Sequence, residues 1–204
     1  MSGFLKKEDL PENDLNYQDF RDTEEAASKG EPYAMTKMGC FYMYGQFVEQ
    51  DEDKALQWFI KAGNLGDPIA QWSVGDIYKH GTKTMSPKPE LAARWFRYAA
   101  HSEPNGRNLR SYGECLEEGF GVTKDPTEAA EYYERAIEYG DIEAFFRLGV
   151  MLFSGLGVDR DSNKGLSYIY TAKMNGNRGA EIVWDELEKK GWLKGIKIEA
   201  KKGT

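Results

Sequence analysis

Residues 144–176, AFFRLGVMLFSGLGVDRDSNKGLSYIYTAKMNG, contain the pattern that decides the fold of this 204-residue chain. An apolar residue precedes Gly149, and a second glycine, Gly155, follows six positions later. A further small residue, Gly165, is followed seven positions on by Ala172. The apolar residues around these positions recur every three or four residues, which is typical of helices with one buried face. The stretch therefore predicts two helices joined by a glycine-containing turn.

The same pattern occurs four times along the chain. The first glycine recurs at intervals of 36, 38 and 36 residues, and the alanine late in the second helix recurs with it. Self-similarity at such a period is the signature of stacked helical repeats. We take these small residues as structural repeat positions: Gly39, Gly75, Gly113 and Gly149 in the first helices, and Ala62, Ala99, Ala136 and Ala172 in the second.

The glycine of each first helix lies inside the helix and not at its end. Glycine in a helix interior costs about 1 kcal/mol relative to alanine. Its recurrence at one phase in four units therefore predicts a compensating gain, most simply the close approach of a neighbouring helix.

With these residues the sequence resembles the Sel1-like repeat family, whose members are relatives of the tetratricopeptide repeat. The resemblance covers about residues 31–191 and departs most in a longer loop at residues 81–90, which contains two prolines. It implies an all-α fold: a right-handed α/α solenoid of four helix-pair repeats with capping helices at both ends. Family members act as adaptors in several kinds of cellular machinery.

The repeat phase also predicts the organisation of the chain. We expect one solenoid over residues 15–194, preceded by a flexible arm at 1–14 and followed by a flexible tail at 195–204. The expected units are repeats at about 31–66, 67–106, 107–140 and 141–176, with a C-terminal cap at 177–191.

Composition excludes several classes of function. The net charge is −7, with no run of basic residues, so nucleic acid is not an expected partner. No stretch is apolar enough for membrane insertion or for a signal peptide. The only cysteines, Cys40 and Cys115, belong to units one and three and are expected to be reduced thiols. We therefore expect a cytoplasmic protein.

Catalytic motifs are absent from the sequence, and we predict that the protein is not an enzyme and has no cofactor and no metal site. His80 lies four residues after Asp76, a spacing that could orient an imidazole, but no nucleophile accompanies the pair. Glu114, Glu117 and Glu118 form an acidic patch at helical spacing. Paired carboxylates can perform acid and base chemistry, but a solvated or partner-facing patch is the simpler interpretation.

The resemblance implies that the first helices line a concave groove, and it indicates which of their residues face it. Aromatic residues and arginine are the types that dominate binding energy at protein interfaces. For Trp72 and Phe146, packing between neighbouring repeats is an equal alternative. The predicted groove residues are Tyr33, Thr36, Tyr44, Trp72, Asp76, Lys79, His80, Arg107, Arg110, Glu114, Glu117 and Phe146.

These observations favour a non-catalytic adaptor, expected to be a monomer, that binds a protein or peptide segment in the groove. An extended surface suits a chain-like ligand better than a small substrate. The alternative is a dedicated inhibitor or immunity-type protein that occludes one partner enzyme, with the 81–90 loop as its specificity element. The fold alone does not choose between them.

Overall fold

The computed structural model describes residues 15–193, which form two compact units, one ending at Glu103 and the other beginning at Pro104. These residues form ten α-helices and no strand. The all-α prediction is therefore confirmed, and ten helices are the number that four helix pairs and two caps require. The predicted arm at 1–14 and tail at 195–204 lie outside the described residues, and the extent of the solenoid stays a prediction.

The first unit contains five helices, each packed against the next along the chain. Its core has two apolar clusters, one around Phe41 and one around Phe59. In order, the helices are α1 (Leu15–Ser28), α2 (Pro32–Tyr44), α3 (Glu52–Asn64), α4 (Pro68–His80) and α5 (Pro89–Ser102).

The second unit is built in the same way, again with each helix packed against the next. Its last two helices enclose an apolar cluster that includes Ile169 and Trp184. The helices are α6 (Gly106–Glu118), α7 (Pro126–Glu138), α8 (Ile142–Ser154), α9 (Ser162–Met174) and α10 (Arg178–Lys189).

Aspartate or asparagine side chains begin most of these helices. Asp51, Asp67, Asp125 and Asp161 each accept a hydrogen bond from a backbone N–H in the first turn of the following helix, which stabilises a helix end by about 1 kcal/mol. Asn105 does the same for α6. Its position explains why α6 begins at residue 106, one residue before the boundary that the repeat phase predicts.

The mid-helix glycines lie where the second helix of each pair comes closest. A Cβ at Gly39 would lie 2.6 Å from the ring of Phe59, and one at Gly75 would lie 2.7 Å from the ring of Phe96. In the second unit, a Cβ at Gly149 would lie 3.0 Å from the backbone oxygen of Gly165. Such distances leave no room for a larger residue, so the absent side chain sets the spacing between the two helices of a pair.

Candidate interaction surfaces

The predicted groove residues of α2 include both exposed and buried side chains. Tyr33 and Tyr44 are 71% and 64% exposed, and Ile69 at the start of α4 is 57% exposed. Large apolar side chains with this exposure are available to a partner. Thr36 is only 4% exposed. Its hydroxyl has no hydrogen-bond partner among the described residues, so its side chain offers no surface for binding.

The remaining predicted residues of the first unit lie along α4. Trp72 is half-buried, with its ring centroid 6.4 Å from that of Phe96. Lys79 is half-buried as well. His80 is exposed, and its Nδ1 lies 3.4 Å from the Asp76 carboxylate and 3.0 Å from the Asp76 carbonyl oxygen. The histidine–aspartate pair of the sequence therefore exists, as a surface pair within one helix.

In the second unit, predicted groove residues of α6 pair with one another. Arg110 donates from Nη1 to Glu114, at 2.6 Å, and from Nε to Asp141, at 3.1 Å. Asp141 also caps α8 through the N–H of Ala144. Arg110 therefore joins the first helix of one repeat to the start of the next repeat. The Glu114 side chain is only 10% exposed.

Arg147 on α8 is the centre of this charged cluster. No role for Arg147 was predicted from the sequence. Its guanidinium lies within 3.6 Å of four carboxylates: those of Glu114, Glu117, Glu118 and Glu143. The spacing of Glu143 and Arg147, four residues apart on one helix, is the signal that could have found it. Together with Arg110 and Asp141, the cluster has two guanidinium groups and five carboxylates, so these residues carry a surplus of negative charge.

Burial and hydrogen bonding shift the pKa values of this cluster. Burial, followed by the 2.6 Å hydrogen bond to Glu117, raises the pKa of the Tyr133 hydroxyl. For Arg147, burial acts to lower the pKa, but the acidic groups of Tyr133, Glu114 and Glu117 outweigh it and the net direction is upward. Arg110 follows the same balance with Glu114 and Asp141. Both guanidinium groups therefore stay charged.

Two further predicted residues belong to the second unit. Arg107 is exposed at the start of α6. Phe146 is half-buried and packs with the apolar cluster of α9 and α10. A Cβ at Gly179 would lie only 2.8 Å from the Phe146 ring. Phe146 is therefore engaged in packing between repeats, which was one of its two expected roles.

The 81–90 loop is held by the first turn of α3. The Asp53 carboxylate accepts hydrogen bonds from the hydroxyls of Thr82, at 2.8 Å, and Thr84. The backbone N–H of Lys83 donates to Glu52, at 3.1 Å. Met85 packs inward on the apolar cluster of α3 and α4. The loop is therefore anchored at both carboxylates while Lys83 is exposed.

The remaining features of the described residues concern cysteine thiols, metal binding and membrane spanning. Cys40, half-buried, and Cys115, buried, are not in a disulfide bond. Burial, followed by the charge of Asp67, raises the pKa of Cys40. Within residues 15–193, no group of His, Cys, Asp or Glu side chains has an arrangement that could hold a metal ion. No helix in the described part of the chain is long and apolar enough to cross a membrane.

Paired helices, spaced by recurring glycines and carrying exposed aromatic residues, define a helical repeat protein. The model of the Sel1 repeat matches residues 32–67, 68–103, 109–141 and 142–177, so the chain belongs to the Sel1 repeat family. It is 38% identical over 81 residues to the chitin synthase regulator SKT5 of Saccharomyces cerevisiae, covering 39% of this chain and 12% of that one. It is 42% identical over 65 residues to the ERAD-associated E3 ubiquitin-protein ligase component HRD3A of Arabidopsis thaliana, covering 31% and 10%.

A solved structure supports the same assignment. The protective antigen c5321 of uropathogenic Escherichia coli, which displays an SLR fold, superposes with a TM-score of 0.80 at 29% identity. The alignment covers 92% of this chain and 39% of that one. The prediction of an all-α repeat solenoid of the Sel1-like family is thus confirmed. The chain spans only about a tenth of the length of the two curated relatives.

Proposed function

We propose that the protein is a non-catalytic interaction module that binds a segment of a partner protein along the first helices of its repeats. The observation that carries this proposal is the exposure of Tyr33, Tyr44 and Ile69, large apolar residues on α2 and α4. Tyrosines of this kind supply binding energy at interfaces because their rings lose contact with water when a partner covers them.

The relatives support the proposal at a coarse level. One is a regulator of another enzyme and one is a component of a ubiquitin ligase, and both descriptions concern assemblies with other proteins. In this chain, the charges of the described residues around α6 and α8 are already engaged with one another. These residues form a cluster with a net negative charge. This charge would favour a partner segment that carries Lys or Arg.

The test begins with affinity capture from the native cell, followed by binding measurements on the purified partner. Tyr44→Ala is expected to weaken binding by about 1–3 kcal/mol, or roughly five- to a hundredfold. Tyr139→Ala is the matched control, because Tyr139 is 57% exposed but lies outside the predicted groove. Equal affinities of the two variants would show that α2 does not contact the partner.

The alternative function, a dedicated inhibitor of one enzyme, is favoured by one observation: Asp53 and Glu52 hold the 81–90 loop in place. An ordered loop loses less conformational entropy when it binds. If the protein is such an inhibitor, its partner is one enzyme whose activity is lost on binding. Lys83→Glu should then abolish inhibition, and Tyr44→Ala should leave it unchanged. The opposite pattern supports the adaptor.

We also propose a cytoplasmic location. Its support is that Cys40 and Cys115, at half-buried and buried positions, are not in a disulfide bond. Fractionation of the native cell tests the proposal, with the protein expected among the cytoplasmic proteins. Recovery from an oxidising compartment would contradict it.

A further inference from the structure

A cavity of about 410 Å³ lies in the first unit, where the end of α3 and the start of α4 meet α5. Its volume is within the range of small-ligand sites. Gly63, Gln71, Leu91, Arg94, Trp95 and Tyr98 line it. None of these residues belongs to the predicted groove, so the inference does not depend on the proposed function.

Gln71, one of the lining residues, carries an unsatisfied acceptor. The residue is only 5% exposed, and its Nε2 donates to the carbonyl oxygen of Gly63 at 3.1 Å. Its Oε1 is buried and has no hydrogen-bond partner in the described part of the chain. A buried acceptor without a donor is unfavourable, and native proteins leave few of them. The group that would complement Gln71 Oε1 is therefore a hydrogen-bond donor, such as an amide N–H.

Arg94 is the one lining residue whose side chain carries a guanidinium or carboxylate group. Its Nε donates to the Tyr98 hydroxyl at 3.0 Å, and its guanidinium lies 5.5 Å from the centre of the Tyr98 ring. No carboxylate of residues 15–193 forms an ion pair with it. The complement of an arginine held in this way is a carboxylate, which can accept two parallel hydrogen bonds from the guanidinium.

Aromatic rings form one part of the cavity wall. The rings of Trp95 and Tyr98 meet edge to face, with centroids 5.8 Å apart and an interplanar angle of 86°. Glycine at residue 63 makes this arrangement possible, because a Cβ there would lie 2.9 Å from the Trp95 ring. Leu91 and these two rings form an apolar surface that would contact and bury an apolar side chain of a ligand.

We propose that this cavity binds an apolar amino-acid residue with a free carboxylate and an acylated amino group. The carboxylate would pair with Arg94, the amide N–H would donate to Gln71 Oε1, and the side chain would contact Trp95 and Tyr98. Because the oxygen is covered by protein atoms, binding includes a small rotation of the Gln71 amide toward the cavity. The C-terminal residue of a polypeptide and a free N-acyl amino acid share this chemistry.

The experiment uses the full chain, labelled with ¹⁵N, and N-acetyl-L-leucine as the probe. We expect saturable NMR shifts of the amide signals of Gly63 and Gly66, with a dissociation constant in the millimolar range or tighter. N-acetyl-L-leucinamide, which lacks the carboxylate, is expected to bind about tenfold more weakly. A tetrapeptide that ends in leucine separates the sources: tighter binding of the peptide assigns the site to a chain terminus, and equal binding assigns it to the free compound.

Two variants test the assigned contacts. Arg94→Gln is expected to lower affinity for N-acetyl-L-leucine at least about tenfold, and to abolish its preference over the leucinamide. Arg97→Gln, an exposed arginine on the same helix that does not line the cavity, is the control and should bind as the parent protein does. Gln71→Met should weaken both probes alike, because both carry the amide N–H.

Three results would overturn the proposal. One is the absence of shifts at Gly63 and Gly66 at saturating probe. Another is equal affinity for the carboxylate and the carboxamide, and the third is an Arg94→Gln variant that binds as well as Arg97→Gln. Circular dichroism of each variant establishes that it is folded, so loss of binding is not confused with unfolding.

Discussion

Substituting Gly149 by alanine tests whether the mid-helix glycine sets the distance between paired helices. The new Cβ would lie 2.9 Å from Ile169 Cγ1 and 3.0 Å from both the Ile169 nitrogen and the Gly165 oxygen. Carbon atoms in ordinary contact are about 3.5–4.0 Å apart, and carbon contacts to nitrogen or oxygen are somewhat shorter, so α8 and α9 would have to separate by roughly half an ångström. Two of the three contacts are to backbone atoms, which no side-chain rotation can relieve.

The sign of the effect separates two interpretations. On a helix with free space, Gly→Ala stabilises by about 1 kcal/mol. Overpacking of a tight interface costs about 1–3 kcal/mol, and here the cost is at the upper end because the backbone must move. We therefore expect Gly149→Ala to lower the free energy of unfolding by about 1–2 kcal/mol net.

The assay is urea denaturation followed by far-UV circular dichroism. Val150→Ala is the control, since Val150 is partly exposed on the same helix and should change stability by no more than about 0.5 kcal/mol. Gly39→Ala is a second comparison, because the three atoms nearest to its Cβ all belong to the Phe59 ring, and Phe59→Leu should partly rescue it. A Gly149→Ala protein as stable as the parent, or more stable, would refute the reasoning.

Three further predictions follow from the charged and polar contacts. Arg147→Leu leaves several carboxylates without their guanidinium and should cost about 3–5 kcal/mol of unfolding free energy, whereas Glu117→Gln should cost less; urea denaturation measures both. Because the pKa of the Cys40 thiol is raised, its alkylation by iodoacetamide should increase only at a higher pH than that of free cysteine, and equal pH profiles would contradict the burial effect. Asp53→Ala should release the 81–90 loop, giving faster tryptic cleavage after Lys83 with little change in melting temperature; unchanged cleavage would show that the Asp53 contacts do not hold it.

Much of the fold could be predicted because it depends on residues close together in sequence. The period of the small residues places the paired helices, such as α8 and α9. The aspartates that begin α7 and α9 are local signals of the same kind. Such features need no knowledge of the partner helix, since each is decided within one turn of backbone.

The parts that could not be predicted depend on residues about thirty positions apart. The contact of Asp53 with Thr82 spans 29 residues, and that of Arg110 with Asp141 spans 31. Repeat phase assigns each residue to a face, but it does not say which side chains on neighbouring repeats will pair. That choice depends on rotamers and on which charges are already compensated. The cavity beside Trp95 was missed for the same reason, because its lining comes from three different helices.

Arg110 shows how this pairing changes the meaning of an experiment. As an interface anchor, Arg110→Ala would be expected to weaken binding alone. In the structure it holds Glu114 and also Asp141, which caps α8. The same change would take one guanidinium away from the poorly exposed Glu114 carboxylate, which Arg147 also contacts at 3.5 Å, and would loosen the start of α8. Removing one partner of such a pair lowers folding stability as well as binding. Tyr44, which is exposed, is therefore the residue whose loss reports on binding by itself.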